Sequence, residues 1–183
     1  MAAEKVEVAP NLANRLISPR NMVLVSCVGK DGEPNIITLG MVMTASHNPP
    51  MIAIGIRSDR YSHQLIEETG EFVVNLPTKE LIEQTLKCGS LSGRDVKKFR
   101  EAGLTPVPSK VVKPPLIGEC VSNIECKVVE KVRPGTHTLF IGRIVAAHVE
   151  KGVFEKSLNL AKAPTLLYNF DEYRVPGRVI RKV

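Results

Sequence analysis

Met22-Val-Leu-Val-Ser-Cys-Val28, Gly29-Lys-Asp-Gly32 and Pro34-Asn-Ile-Ile-Thr-Leu-Gly40 follow one another near the start of the chain, and their order decides the fold class. Two runs rich in β-branched residues, separated by a short segment containing Asp-Gly, read as a β-hairpin. Downstream, Met51 to Ile56 is a compact apolar run between Pro49-Pro50 and Arg57-Ser-Asp59. Glu71 to Leu76 is a second such run, bounded by Gly70 and Pro77. Between them Ser62 to Thr69 has adjacent apolar residues with polar flanks, and Gly70 as a stop predicts a short helix there. Lys79 to Lys87 places Leu81, Ile82, Thr85 and Leu86 on one helical face, with Thr78 as N-cap and Gly89 just past the end. A further helix is expected from Asp95 to Ala102, ending at Gly103, after a loop of small and hydroxyl residues from Cys88 to Asp95.

Pro106 to Pro115 has no periodicity and reads as chain extended over the surface. Glu119 to Val132 alternates, with Ile124, Cys126 and Val128 on the apolar face and Glu125 and Lys127 on the polar one. Arg133-Pro-Gly135 turns it into Thr138 to Val149, completing a long hairpin. Ala163 to Tyr168 reads as one helical turn begun by Pro164, and Tyr173 to Val183 as a tail interrupted by Pro176-Gly177. About seven strands and three helices with antiparallel-compatible connections predict a mainly β protein with helical inserts, a closed or nearly closed barrel.

The chain has 183 residues, of which 43% are hydrophobic and 24% charged, enough to bury a core. Nothing marks an internal boundary, so one domain is expected over 1–183, with a core of about 16–175 and a strand or tail at 176–183. Thirteen glycines and thirteen prolines match a design of short segments and many turns. Four cysteines without a Cys-x-x-Cys pair, and no apolar N-terminal segment, point to a reducing cytoplasm rather than a disulfide framework. The longest stretch free of Asp, Glu, Lys and Arg, from Pro34 to Ile56, is cut by Ser46-His-Asn-Pro-Pro50, which argues against a membrane helix. The net charge of +6 suits an anionic partner, either nucleic acid or a phosphorylated cofactor. With no Trp and 4% aromatics, stacking platforms are scarce and nucleic acid is the poorer fit.

Gly-x-Gly-x-x-Gly, Gly-x-Ser-x-Gly and His-Glu-x-x-His are all absent, and Gly89-x-x-x-Gly93 lacks the spacing and Lys of a P-loop. His47, His63, His137 and His148 are dispersed, so no metal site is expected. The densest constellation is Thr38-Leu-Gly-Met-Val-Met-Thr-Ala-Ser46 followed by Arg57-Ser-Asp-Arg-Tyr-Ser-His63. Hydroxyls, guanidiniums and a helix start could converge on a phosphate monoester. Ordinary strand-end loops carry the same residues for turn reasons alone.

Pro19-x-x-Met-Val-Leu-Val, Asp31-Gly-x-Pro-Asn-Ile-Ile-Thr38, Ser46-x-x-Pro-Pro50, Phe72-Val-Val-Asn-Leu76, Ser92-Gly-Arg-Asp-Val-Lys-Lys-Phe99 and Gly135-x-His137 occur in one order. That order resembles the flavin reductase-like family, which includes flavoredoxins and the archaeal ferric reductase type. The likeness runs over about residues 16 to 145, and Leu166 to Gly177 resembles the family's tail. It implies an FMN-binding split β-barrel, with FAD the less favoured flavin, and a homodimer holding flavin near the subunit interface. By the same resemblance Gly40, Met41, Val42, Met43, Thr44 and Ala45 would run along the isoalloxazine, and Thr38, Thr44 and Ser46 would reach the ring edge, ribityl chain or phosphate. Arg57, Ser58, Tyr61 and Ser62 would complete the phosphate end, while the direction of Arg60 is not legible. Ser92, Gly93, Arg94, Lys98 and Phe99 resemble the segment lying over the cofactor or guiding the second substrate; a helix start capped by Ser92 is the alternative. His137 would stand near the nicotinamide or flavin as the catalytic side chain, or be a turn histidine.

Family members commonly carry Asn and Ser or Phe where this chain has Gly40-Met-Val-Met43, which shifts weight to backbone contacts. Met41 and Met43 then pack either on the flavin or in the core, and Cys88 is either a redox thiol or a buried small residue. The implied activity is an NAD(P)H:flavin or ferric reductase type of oxidoreductase. It would take hydride from NAD(P)H onto bound flavin and pass electrons to free flavin, ferric chelates or a partner. The rivals are an FMN-binding electron carrier without pyridine-nucleotide chemistry, and an oxygenase component or pyridoxamine-phosphate-oxidase-like enzyme on the same barrel.

Overall fold

The computed structural model describes residues 2–181. Its strands are β1 (Arg20–Asn21), β2 (Val23–Val28), β3 (Pro34–Leu39), β4 (Val42–His47), β5 (Pro50–Arg57), β6 (Glu71–Leu76), β7 (Pro106–Val107), β8 (Leu116–Ile117), β9 (Ser122–Val132), β10 (His137–Val149), β11 (Leu167–Asn169) and β12 (Glu172–Arg174). The helices are α1 (Tyr61–Thr69), α2 (Ile82–Ser90) and α3 (Lys98–Ala102), with 3-10 turns at Ala13–Ile17 and Lys79–Leu81.

Seven strands form one antiparallel sheet in the order β3-β2-β6-β9-β10-β5-β4. Its two edges, β3 and β4, are joined by Gly40 and Met41 alone. At Met41 the chain leaves the β2 ladder for β5, where the Gly55 N–H donates to the Met41 carbonyl at 2.9 Å. The sheet curls until β3 approaches β5, and no ladder closes the gap. The fold is therefore a split β-barrel with helical inserts.

Burial explains the sequence pattern of β2. Val23, Val25 and Cys27 point into the barrel with Ile54, Phe72 and Phe140. Leu24 points outward beneath α2 and α3, with Cys88, Phe99 and Ala102. A strand covered on both faces reads as a continuous apolar run. All four cysteines are buried and free, and burial raises the Cys88 thiol pKa to about 11.

Several local expectations change. Gly89 lies inside α2 rather than beyond it, because the helix packs there against the Thr38 side chain. Thr78 makes no side-chain cap. Only Lys98–Ala102 of the expected 95–102 helix forms, since the Asp95 and Val96 N–H groups turn onto the Ser92 carbonyl and Lys97 is extended. Val42–His47, read as a strand-end loop, is a strand paired with β5 and bulged between Thr44 and Ser46. Ala163 to Tyr168 is not helical: Thr165 bridges Thr78, and Leu167–Asn169 pairs with β1 and β12. The tail after β12 forms no strand as far as Arg181, and Lys182 and Val183 lie outside the described residues.

The 106–115 segment is not simply laid over the surface. Val112 is buried with Val73 and Leu116, and the N–H groups of Lys110, Val111 and Val112 donate to the Glu125 carboxylate at 2.9, 2.7 and 3.1 Å. Glu125 is thus fully buried, although its place in the alternation predicts the polar face. His148, given no role by the sequence, supplies its fourth bond from Nε2 at 2.7 Å. Among the described residues no helix is long and apolar enough to cross a membrane.

Candidate functional site

The unclosed seam of the barrel holds a cavity of about 280 Å³. One wall is β3, from Asn35 to Leu39, continuing into Gly40 and Met41. The opposite wall is the end of β5, Gly55 to Arg57, with the loop into α1 and with His137 at the start of β10. Gly89, Leu91, Ser92, Gly93, Arg94 and Lys98 cover it from the helical side.

The charges in the lining are Arg57, Arg60, Arg94 and Lys98 against Asp59. Arg57 spends part of its charge on Asp59 at 2.6 Å, an exposed pair that contributes about 0–1 kcal/mol. Arg94 lies 5.2 Å over the Tyr61 ring and donates to the Asp59 carbonyl at 3.3 Å. Lys98 is different. It is buried, its Nζ donates to the Cys88 carbonyl at 2.7 Å, and it has no carboxylate partner among the described residues. Burial lowers its pKa, the nearby Cys88 and Cys27 oppose this, and Arg60 adds to it. An ammonium in this position gains from any anion that enters.

α1 begins at the same place. No side chain caps its first turn, so its leading end contributes a positive field where Arg60, Tyr61 and Ser62 line the wall. Ser62 Oγ accepts from Asn35 Nδ2 at 2.8 Å, and the buried Cys27 thiol lies within hydrogen-bond reach of the same hydroxyl. Asn35 Oδ1 is buried without a partner, and a Cβ on Gly93 would stand 2.2 Å from it. The seam therefore closes tightly over Asn35 only because residue 93 has no side chain.

Of the residues expected from sequence, Thr38, Gly40, Met41, Arg57, Tyr61, Ser62, Ser92, Gly93, Arg94, Lys98 and His137 line this cavity. The Thr38 hydroxyl donates to the Thr85 carbonyl at 2.7 Å, so its proton is already committed to α2. Ser92 Oγ accepts from the Arg94 N–H at 3.2 Å, the turn-capping alternative realised without a full helix. His137 is half-buried, with Nδ1 held 2.9 Å from Thr136 Oγ1.

Val42, Met43, Thr44, Ala45 and Ser46 lie outside the cavity on edge strand β4, and neither Met43 nor Met41 is a core residue. Ser46 pairs with Met51, whereas the cavity lining on β5 begins at Gly55, four residues or about 13 Å further along. Ser58 is exposed and donates its N–H to the Thr136 carbonyl, and Phe99 is packed in the core under α2 and α3. Asn35, Asp59 and Arg60 are lining residues that sequence reasoning did not place. The one available signal for Asn35 is a polar residue standing at the head of the apolar Ile-Ile run of β3.

The recess in the seam of the open antiparallel barrel is cation-rich, a lining chemically suited to an anionic ligand. Residues 15–177 match the model of the flavin reductase like domain, and the chain belongs to that family. A protein of Archaeoglobus fulgidus is 44% identical over 142 residues, covering 78% of this chain and 77% of the relative. Among solved structures, the flavoredoxin from Methanosarcina acetivorans is 33% identical with a TM-score of 0.88, covering 98% of this chain and 95% of the other. Flavoredoxin of Desulfovibrio vulgaris (Miyazaki F) is 26% identical with a TM-score of 0.87, covering 99% and 97%. The chemistry of this chain is accordingly flavin-linked oxidation and reduction.

Proposed function

We propose that this chain is an FMN-dependent oxidoreductase that takes hydride from NADH or NADPH onto bound flavin and passes the electrons to free flavin, a ferric chelate or a protein. The observation that carries this reading is the buried Lys98, without a carboxylate partner among the described residues, in the same cavity as the Ser62 hydroxyl at the uncapped start of α1. Donors of this kind fit a phosphate monoester. A cavity of about 280 Å³ is at the small end for a ligand site, which suits the phosphate and polyol end of a cofactor rather than the whole of it.

In this reading Lys98, Ser62 and the first N–H groups of α1 hold the phosphate, and Arg57, Arg60 and Arg94 supply the surrounding positive field. Bound flavin would supply two-electron chemistry between a nicotinamide and an acceptor. His137, with Nδ1 already fixed by Thr136, offers Nε2 to a nicotinamide carboxamide at the cavity mouth. Edge strand β4, with unpaired backbone and Met43 64% exposed, is the surface expected to meet a second copy.

The flavoredoxin names of two relatives favour a second reading, an electron carrier that holds FMN without using pyridine nucleotide. Anaerobic mixing of the flavin-loaded protein with NADH, then with NADPH, separates the two. The reductase bleaches the flavin absorbance rapidly with at least one of them, and the carrier stays yellow with both. A protein that takes up no flavin at all would sink both readings.

A further inference from the structure

Ser62 and His137 reach the cavity from distant parts of the chain, and their next neighbours are bonded to each other. His63 Nε2 and Thr138 Oγ1 lie 2.8 Å apart. Both residues are buried, and the His63 ring stands edge-on to Phe140 with centroids 5.1 Å apart. A single buried hydrogen bond therefore ties the first turn of α1 to the start of β10. Each element delivers a cavity side chain one residue before that bond.

The remaining polar side-chain ties between α1 and the β9–β10 hairpin lie at or near the surface, while Leu65 and Ile66 share the barrel core with Phe140, the Val128 N–H donates to the Gly70 carbonyl at 2.8 Å, and β5 sets Arg57 opposite His137. Glu67 on α1 meets Arg133 at 2.9 Å and Lys131 at 3.3 Å, and the Ser58 N–H donates to the Thr136 carbonyl at 3.3 Å. Surface ion pairs contribute little to holding two elements in register. A buried pair is different, because separating it leaves both groups without water or partner. Burial lowers the His63 pKa, with Glu67 opposing and Arg133 and Lys131 adding, so the ring is kept neutral with one nitrogen donor and one acceptor.

We propose that His63 is a positioning residue: through Thr138 it sets the start of α1 and His137 at a fixed spacing, so that the anion end and the nicotinamide end of the cavity form one rigid unit. This rests on the flavin reading above.

Thr138→Val keeps the shape of the side chain and removes the hydroxyl, and Thr138→Ser keeps the hydroxyl. FMN affinity is measured by quenching of flavin fluorescence, and flavin reduction by stopped-flow mixing with NADH or NADPH, whichever reduces the wild-type protein. T138V is expected to weaken FMN binding about fivefold to tenfold, the equivalent of one net hydrogen bond, with T138S within about twofold of wild type. T138V should also slow flavin reduction at saturating FMN, and should add nothing further in a His137→Ala background, because the two changes act through one group. If T138V does not fold, His63→Phe, which keeps a ring against Phe140, takes its place with the same expectations.

Wild-type behaviour of T138V, an equal loss in T138S, or full additivity with H137A would each overturn the proposal. Failure of the wild-type protein itself to bind flavin would instead bring down the functional reading on which it stands.

Discussion

Lys98 sits one residue before Phe99, yet the two side chains serve different ends: the ring fills the core beneath α2 while the ammonium reaches the seam cavity. Lys98→Met keeps the aliphatic stem and removes the charge. It should weaken FMN binding by about tenfold to a hundredfold, corresponding to about 1.5–3 kcal/mol for a hydrogen bond to a charged group. Ser46→Ala, on β4 outside the cavity lining, should change affinity less than about twofold. Equilibrium dialysis against FMN checks both, and a large S46A effect would relocate the phosphate end. These two residues also show what local pattern reveals. Both lie in motifs quoted from the sequence, but only the curl of the sheet decides that one meets the cavity and the other the open edge.

At the scale of elements, the 106–115 segment is pinned to the sheet through a carboxylate rather than by pairing. Burial pushes the Glu125 pKa up, but the Lys110 N–H, His148 and the Val111 and Val112 N–H groups outweigh it and hold the carboxyl below the usual range. A folded-state pKa below the unfolded value of about 4.3 means that this stabilisation is complete above that pH and drains away as pH falls through the folded value. Glu125→Gln should cost on the order of 3 kcal/mol at neutral pH and flatten the acid limb of the stability curve. Urea unfolding across pH 3 to 7 measures both, and an unchanged acid limb would show that other carboxylates dominate it. The strand itself was legible by its alternation. The inversion of Glu125 from solvent to interior was not, because the donors that make it tolerable come from residues thirteen to twenty-three positions away.

For the molecule as a whole, the barrel closes on itself only where side chains are small enough. Gly142 of β10 faces Phe72 and Cys126, and a Cβ there would stand 2.6 Å from the Phe72 ring and 2.9 Å from the Cys126 Cβ. Both neighbours are fully buried in the barrel core, so neither can swing away. Gly142→Ala should destabilise the fold by about 1–3 kcal/mol through overpacking. Thermal unfolding tests it, and an unchanged midpoint would mean the sheet can spread. Across the seam the opposite holds: β3 and β5 approach without bonding, and the space between them becomes the cavity.

Periodicity, turn residues and helix stops act over a few residues, so the sequence alone determined the main strands, the three helices, the two long hairpins and the basic character that calls for an anionic ligand. Tertiary structure decided which groups meet. Asn35 with Ser62, Thr38 with Thr85 and His63 with Thr138 are separated by 27, 47 and 75 residues. Such contacts are set by the order in which strands pair and by how far the sheet curls, and no local pattern of residues encodes either.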